Sequence, residues 1–388
     1  MILNPDDRSL YTDALRTPAG YTFNQAIATT FTLDLTTLLT VPLHLTLFAR
    51  GEETEALLDD GVGLLEALRR TSDRIRVYCQ RGQISVPARQ NPLFSLLEPV
   101  VRETRVSRGL FHPKLWVLRF VAESSETPLL RLLVLSRNLS QARSWDVILR
   151  LDGEPGGQRR RANGPLARLI DELPRWTVQG GGRSEGQMCR KLADEVARTI
   201  WELPEPFQEV RFHVPGLESR PWRPPDSGRL LVISPFVSDR GLQALVSTTK
   251  RTAALVSRPE ELARLAPETL DLFERVFHLS QAAESEDPEE SANILETPLK
   301  GLHAKAYICR TGTDTRVFVG SSNATSQGMD GSNVELLAEL VGKQSKVGRV
   351  KSLLEDSGLM AVLEEYVPGT VAARRVGRRQ GRRMSMGR

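Results

Sequence analysis

FHPKLW at residues 111–116 and LHAKAY at residues 302–307 share one device: a histidine and, two places on, a lysine, set inside an apolar stretch. In an extended strand successive side chains alternate faces, so His303 and Lys305 share a side while Leu302, Ala304 and Ala306 take the other. His112 and Lys114 repeat the arrangement. With eight lysines in 388 residues, a lysine two places after a given histidine is about a 2% event by composition. Two of the five histidines have one, and they are read together as a site. His44, His213 and His278 have no such neighbour and are read as hydrogen-bonded structural residues.

Both pairs are followed by the same signals. LLVLSRNLS (132–140) and VFVGSSNAT (317–325) each end an apolar strand in Ser-x-Asn, which gives Ser136 with Asn138 and Ser321 with Asn323. A further strand then carries an acid, Asp146 in SWDVILRL and Glu335 in NVELLAEL. Upstream, AIATTFTLD (26–34) and LLVISPFVSD (230–239) each read as a strand running into a turn and a helix. Phe31 aligns with Phe236, and Asp34 with Asp239. A second strand follows in both, RIRVYCQ (74–80) and TAALVS (252–257). The order therefore occurs twice, an internal duplication of about 120 residues per copy. The expected architecture is α/β: two pseudo-symmetric lobes, each a mixed β-sheet flanked by helices, with a cleft between them.

The expected divisions are 1–151 for the first half, 152–226 for a connecting segment of helices and Gly-rich loops, and 227–368 for the second half. The end, 369–388, carries seven arginines and few large apolar side chains, and reads as a disordered basic tail. Arg374, Arg375, Arg378, Arg379, Arg382 and Arg383 are its candidate nucleic-acid contacts.

Composition is that of an ordinary soluble protein, 40% hydrophobic and 26% charged. No apolar run approaches the roughly 18–20 residues that span a bilayer, and MILNPDDRSL lacks the pattern of a signal peptide. A cytoplasmic protein without a membrane partner is expected. Cys79, Cys189 and Cys309 are scattered, which argues against a disulfide framework or a structural zinc cluster. The basic residues are 44 Arg against eight Lys, and arginine suits bidentate phosphate contact.

Two histidines, two lysines and two asparagines gathered at one place suit a phosphodiester. Its anionic oxygens need cationic and amide donors, which Lys114, Lys305, Asn138 and Asn323 supply without a metal or cofactor. Ser136 and Ser321 are placed as phosphate-binding support. One imidazole attacks phosphorus while the other protonates the leaving oxygen. Asp146 and Glu335 are each expected to orient the histidine of their own copy. Neither copy suffices alone, which accounts for the duplication.

The doubled pattern HxK…SxN…acid resembles the phospholipase D superfamily, whose motif also has an Asp after four further residues beyond the lysine, and a Gly-Ser-x-Asn loop. HAK…GSSNATSQGMDGSNVE is the closer copy; HPK…LSRNL…SWD has lost the Gly. The resemblance covers about 24–150 and 228–345. It implies a two-lobed fold and a covalent phosphohistidine, with His112, of the first copy, as nucleophile. The better loop and the glutamate of the second copy favour His303 instead. The motif Asp is replaced by Arg119 and Arg310, both expected to face solvent. That departure points away from phospholipid cleavage or phosphatidyl transfer. It points toward the nuclease-like branch, similar to phospholipase D-type restriction endonucleases and bacterial defence nucleases. The implied partners are nucleic acid, DNA favoured, with a helicase or other defence-system subunit and a second copy of the chain as protein partners. A non-catalytic nucleic-acid-binding subunit is the other class of reading, and the intact His, Lys and Asn of both copies argue against it.

Overall fold

The structure, a computed structural model, describes residues 11–47, 61–87, 91–122, 125–140, 144–218, 220–280, 301–355 and 359–368. The basic tail, with the six arginines named above, lies outside the described residues.

The first half supplies β1 (Thr22–Thr30), β2 (Leu33–Asp34), β3 (Ile75–Gln80), β4 (Ile84–Ser85), β5 (Val101–Thr104), β6 (Leu115–Ala122), β7 (Ser125–Leu135) and β8 (Ile148–Pro155). Two short strands come from the connecting segment, β9 (Thr199–Trp201) and β10 (Glu209–His213). The second half supplies β11 (Arg229–Ile233), β12 (Thr252–Val256), β13 (Val276–Leu279), β14 (Ala306–Thr311), β15 (Asp314–Gly320), β16 (Leu337–Lys343) and β17 (Leu363–Glu365). One sheet has the order β5-β3-β1-β6-β7-β8-β9, the other β10-β16-β15-β14-β11-β12-β13-β17, and β2 pairs with β4.

Each sheet is mixed. β1, β3 and β5 are parallel neighbours, as are β11, β12 and β13, while β6–β8 and β14–β16 continue each sheet antiparallel. β1, β3, β5, β6, β7 and β8 thus map onto β11, β12, β13, β14, β15 and β16, and the duplication of sequence is a duplication of fold.

Period-2 patterning decides which face each side chain takes. Leu115 and Val117 of β6 join a central core, and Trp116, Leu118 and Phe120 join a second core on the other face of that sheet. Ala306 and Ile308 of β14 join the same central core, while Tyr307 and Cys309 face the other way. The central core therefore belongs to both lobes. The helix Gly164–Trp176 seals it with Leu166, Leu169, Ile170 and Leu173, a spacing of three, one and three that lines one face of a helix. Pro165 occupies its first turn, where a missing N–H costs nothing. Each such buried side chain contributes about 1.5–3 kcal/mol of transfer free energy. The helix Arg183–Arg198 adds Leu192 and Val196.

The connecting segment was expected to be helix and loop. It is both, and in addition β9 pairs with β8 and β10 with β16, so it closes one edge of each sheet. The three cysteines are free and buried. Among the described residues no helix is long and apolar enough to cross a membrane.

Hydrogen bonds fix which residues correspond between the lobes. Leu139 N donates to Thr30 Oγ1 and Ala324 N to Ser234 Oγ, both at 3.0 Å. Asp34 N donates to Leu139 O at 2.8 Å, and Ser238 N to Ala324 O at 3.1 Å. Asp34 and Ser238 then cap the helices that follow, accepting from Thr37 N and Gly241 N. Asp34 thus corresponds to Ser238, not Asp239, and Phe31 to Pro235, not Phe236. The sequence alignment was one residue off because Asp and Ser serve equally as N-caps, whereas the shared phenylalanine is coincidental.

Candidate active site

The His-x-Lys segments lie just ahead of β6 and β14 rather than within them, because their backbone groups pair across the lobes. Phe111 bridges Val334 and Leu302 bridges Trp145, both in parallel. His112 N donates to Val334 O at 3.0 Å and His303 N to Trp145 O at 2.9 Å. The residue after each bridging partner is an acid, Glu335 after Val334 and Asp146 after Trp145.

This pairing exchanges the orienting acids. His112 Nδ1 is 2.8 Å from Glu335 Oε2, and His303 Nδ1 is 3.3 Å from Asp146 Oδ1. The expectation that each acid serves its own copy is corrected: each histidine is held by the carboxylate of the other lobe. Strand order along the chain could not reveal this, since the two segments meet only in the folded molecule.

Alternation survives in the local contacts. Lys114 Nζ lies 2.8 Å from His112 Nε2 and donates to His112 O at 3.1 Å. Lys305 Nζ donates to His303 O at 2.9 Å and to Ser136 O, across the lobe boundary, at 3.2 Å. The lysines and Glu335 are each 1% exposed, whereas the side chains of His112 and His303 keep 14% and 20%. The imidazoles are the most exposed of these groups, and each lysine ammonium lies directly against its imidazole, where a ligand that reaches the ring meets it.

Burial of ammonium groups disfavours their charge. Lys114 is held well below the ordinary lysine range, chiefly by burial, with Lys305 adding repulsion and Glu335 opposing it. Lys305 is lowered by burial to about 7, against the pull of Asp146 and Glu335. His303 is lowered to about 4, by burial first and then by Lys305. His112 is lowered by burial, with Glu335 opposing. Burial would raise the Asp146 carboxyl, but its bond with His303, the charges of His303 and Arg137 and the Ser144 hydroxyl bring it below the usual range. At His112 the hydrogen bonds assign a neutral imidazole that donates Nδ1–H to Glu335, with Nε2 accepting from Lys114, whereas His303 Nδ1 lies 3.3 Å from both Asp146 Oδ1 and Lys305 Nζ.

Ser136 and Ser321 were read as phosphate-binding support, and the structure commits them elsewhere. The Ser321 hydroxyl donates to Glu335 Oε2 and accepts from Leu336 N. The Ser136 hydroxyl donates to Asp146 Oδ1 at 3.2 Å and accepts from Val147 N at 2.9 Å. Both are fully buried and fix the acids.

The asparagines differ. Asn138 Oδ1 accepts from Phe31 N at 3.3 Å. Pro235 stands at the corresponding place and has no N–H to give, and Asn323 Oδ1 is buried without a hydrogen-bond partner. The ring of Phe31 packs 5.2 Å from that of His112, centroid to centroid.

Sequence reasoning missed Arg258. Its Nε donates to Leu302 O at 2.7 Å, its guanidinium lies 4.8 Å from the centre of the half-exposed Phe236 ring, and its charge depresses Lys305. Nothing in its setting, an arginine after a strand and before a Pro-started helix, marked it. Of the two arginines expected to face solvent, Arg310 does and Arg119 does not. Arg119 is buried, its Nε donating to both oxygens of Glu195 and its Nη1 to Asn24. His213 bonds Glu339 at 2.7 Å and His278 bonds Leu279 O at 2.7 Å, as structural histidines do. Among the described residues, no group of three or more His, Cys, Asp or Glu is placed to hold a metal ion.

No protein-family model matches the chain, and no curated protein matches it in sequence. The fold has solved relatives. A mutant of yeast tyrosyl-DNA phosphodiesterase superposes with a TM-score of 0.50 at 11% identity, covering 84% of each chain. A polyphosphate kinase from Porphyromonas gingivalis is found at a TM-score of 0.40 and 11% identity, covering 84% of this chain and 44% of its own. With the two matching sheets and their cross-lobe pairings already established, the first of these likenesses assigns the architecture: the chain has the phospholipase D superfamily fold.

Proposed function

We propose that this protein is a metal-independent phosphodiesterase that cleaves nucleic acid, with DNA favoured, through a covalent histidine intermediate. The observation that carries the reading is the exchanged pair of acid–histidine–lysine sets converging at one place on the lobe boundary. The named substrate class of the yeast neighbour, a tyrosyl-DNA phosphodiester, agrees with it.

The steps follow from the contacts. An entering phosphodiester oxygen takes the Lys114 ammonium, which frees the Nε2 lone pair of His112. His112 Nε2 attacks phosphorus while the P–O bond to the leaving group breaks. His303, raised toward protonation by the anionic substrate, gives its Nε2 proton to that oxygen. Neutral His303 then takes a proton from water, whose oxygen attacks phosphorus and breaks the P–N bond, returning His112. Lys114, Lys305 and the amide of Asn323 hold the non-bridging oxygens.

The exchange of acids also favours His112 as nucleophile. Glu335, which had seemed to favour His303, holds His112 at the shorter distance and is itself anchored by Ser321. The sequence resemblance extends the proposal to anti-phage defence with a helicase or other subunit as partner.

The test is cleavage of plasmid or oligonucleotide in excess EDTA. Wild-type protein is expected to cut, and His112→Ala and His303→Ala each to lose at least about 1,000-fold, as for loss of a covalent or acid–base group. Full activity in either variant removes that histidine from the mechanism.

A further inference from the structure

Arg310 stands where the resembling motif has its aspartate, and the chemistry above leaves it unused. It sits five residues beyond Lys305, toward the other end of β14, and lines a pocket of about 510 Å³. Six residues of that pocket are cationic: Arg229, Lys250, Arg251, Arg310, Arg349 and Lys351. No acidic and no aromatic side chain lines it. Arg229 is answered by Glu274, and Lys351 by Glu355 at 3.6 Å. Lys250, Arg251, Arg310 and Arg349 have no carboxylate at ion-pair distance among the described residues.

Two comparisons mark this as a built concavity. The corresponding arginine of the first lobe, Arg119, is closed off by Glu195 and Asn24, whereas Arg310 is left open. At Gly228 a β-carbon would lie 2.3 Å from Arg310 Nη2, so the absent side chain is what lets the guanidinium fold over the start of β11. Gathering unanswered like charges in one hollow is unfavourable until an anion enters, and the field there draws anions in.

We infer that this pocket is a second nucleic-acid contact, which takes backbone phosphates some distance from the scissile bond; the inference rests on the proposed substrate class. Five residues of strand span roughly 17 Å. That strand is buried, so nucleic acid reaches the pocket around the lobe, and with 3.4 Å per base pair the pocket takes phosphates at least about five steps from the histidines. Without an aromatic platform it reads no base, and it positions the strand irrespective of sequence.

The test compares wild type with the triple variant Lys250→Ala, Arg310→Ala, Arg349→Ala, and with Arg310→Ala alone should the triple variant fold poorly. Binding of a 30-mer and a 4-mer oligonucleotide is measured against salt, and hydrolysis of bis(p-nitrophenyl) phosphate is measured in EDTA. For the 30-mer, the slope of log affinity against log salt should fall by about one for each phosphate that is no longer neutralised. The 4-mer and the small diester should behave as with wild type. An unchanged slope with hydrolysis intact overturns the pocket's role alone. Wild-type protein that neither binds the 30-mer nor hydrolyses the diester overturns the proposed function and this inference with it.

Discussion

Lys305 is buried between two carboxylates and two other cations, and burial dominates, bringing its ammonium down to about 7. A group lowered from the ordinary lysine range binds its proton below that value and releases it above. In the free protein the ammonium that the proposed mechanism sets against a phosphate oxygen is therefore lost as pH rises through about 7. The account predicts that kcat/KM for bis(p-nitrophenyl) phosphate declines through that pH. The alkaline limb of kcat should lie higher, because the bound anion restores the ammonium's preference for charge. A pH–rate profile checks both, and a kcat/KM flat from about pH 6 to 9 would remove Lys305 as the titrating group. Reading the sequence placed both lysines beside their histidines correctly. Their depressed basicity was not legible there, because it depends on how completely the two lobes wall them in.

At the scale of elements, the cross-lobe bridges aim the histidines, and glycine permits the closest of them. Gly109 has a φ of +67°, and a β-carbon on it would stand 2.0 Å from the carbonyl oxygen of Ser332 in the other lobe. Gly109→Ala is expected to cost about 1–3 kcal/mol in backbone strain. Moving Phe111 and His112 away from Val334 and Glu335 should also lower kcat/KM by at least about tenfold, given what an ångström of misplacement costs. Thermal melting and steady-state kinetics read the two effects, and a variant with wild-type values in both would show that this approach does not hold the site.

The strands around the motifs were legible because period-2 patterning and the repeated Ser-x-Asn mark them. TIW and EVRFH, which became β9 and β10, are too short to announce themselves beside two amphipathic helices. The exchange of Asp146 and Glu335, the commitment of Ser136 and Ser321 to those acids, and the burial of Arg119 against Glu195 are all long-range pairings. Residue spacing carries no record of them. Two things were misread locally: the phase of the repeat, through the shared phenylalanine, and the His-x-Lys segments, which precede β6 and β14.

In the whole molecule two like lobes build one unlike site. Their sheets share a central core, and their His-x-Lys segments cross-pair, so neither lobe holds a complete acid–histidine set. The symmetry is broken at Phe31 against Pro235, at Glu335 against Asp146, and at the partnered Asn138 against Asn323, whose Oδ1 is unpartnered. On the proposed mechanism these differences give the two histidines different work, and the covalent bond is assigned to His112. Trapping that bond is the most direct test. Protein in EDTA is mixed with a labelled nucleotide p-nitrophenyl diester, quenched in alkali, where phosphohistidine survives, and mapped by peptide. The nucleotidyl group is expected on His112 in wild type and in His303→Ala, since p-nitrophenolate leaves without a proton, and on no residue in His112→Ala. A label on His303 in the His112→Ala protein, or turnover by wild type with no histidine labelled, would contradict the account.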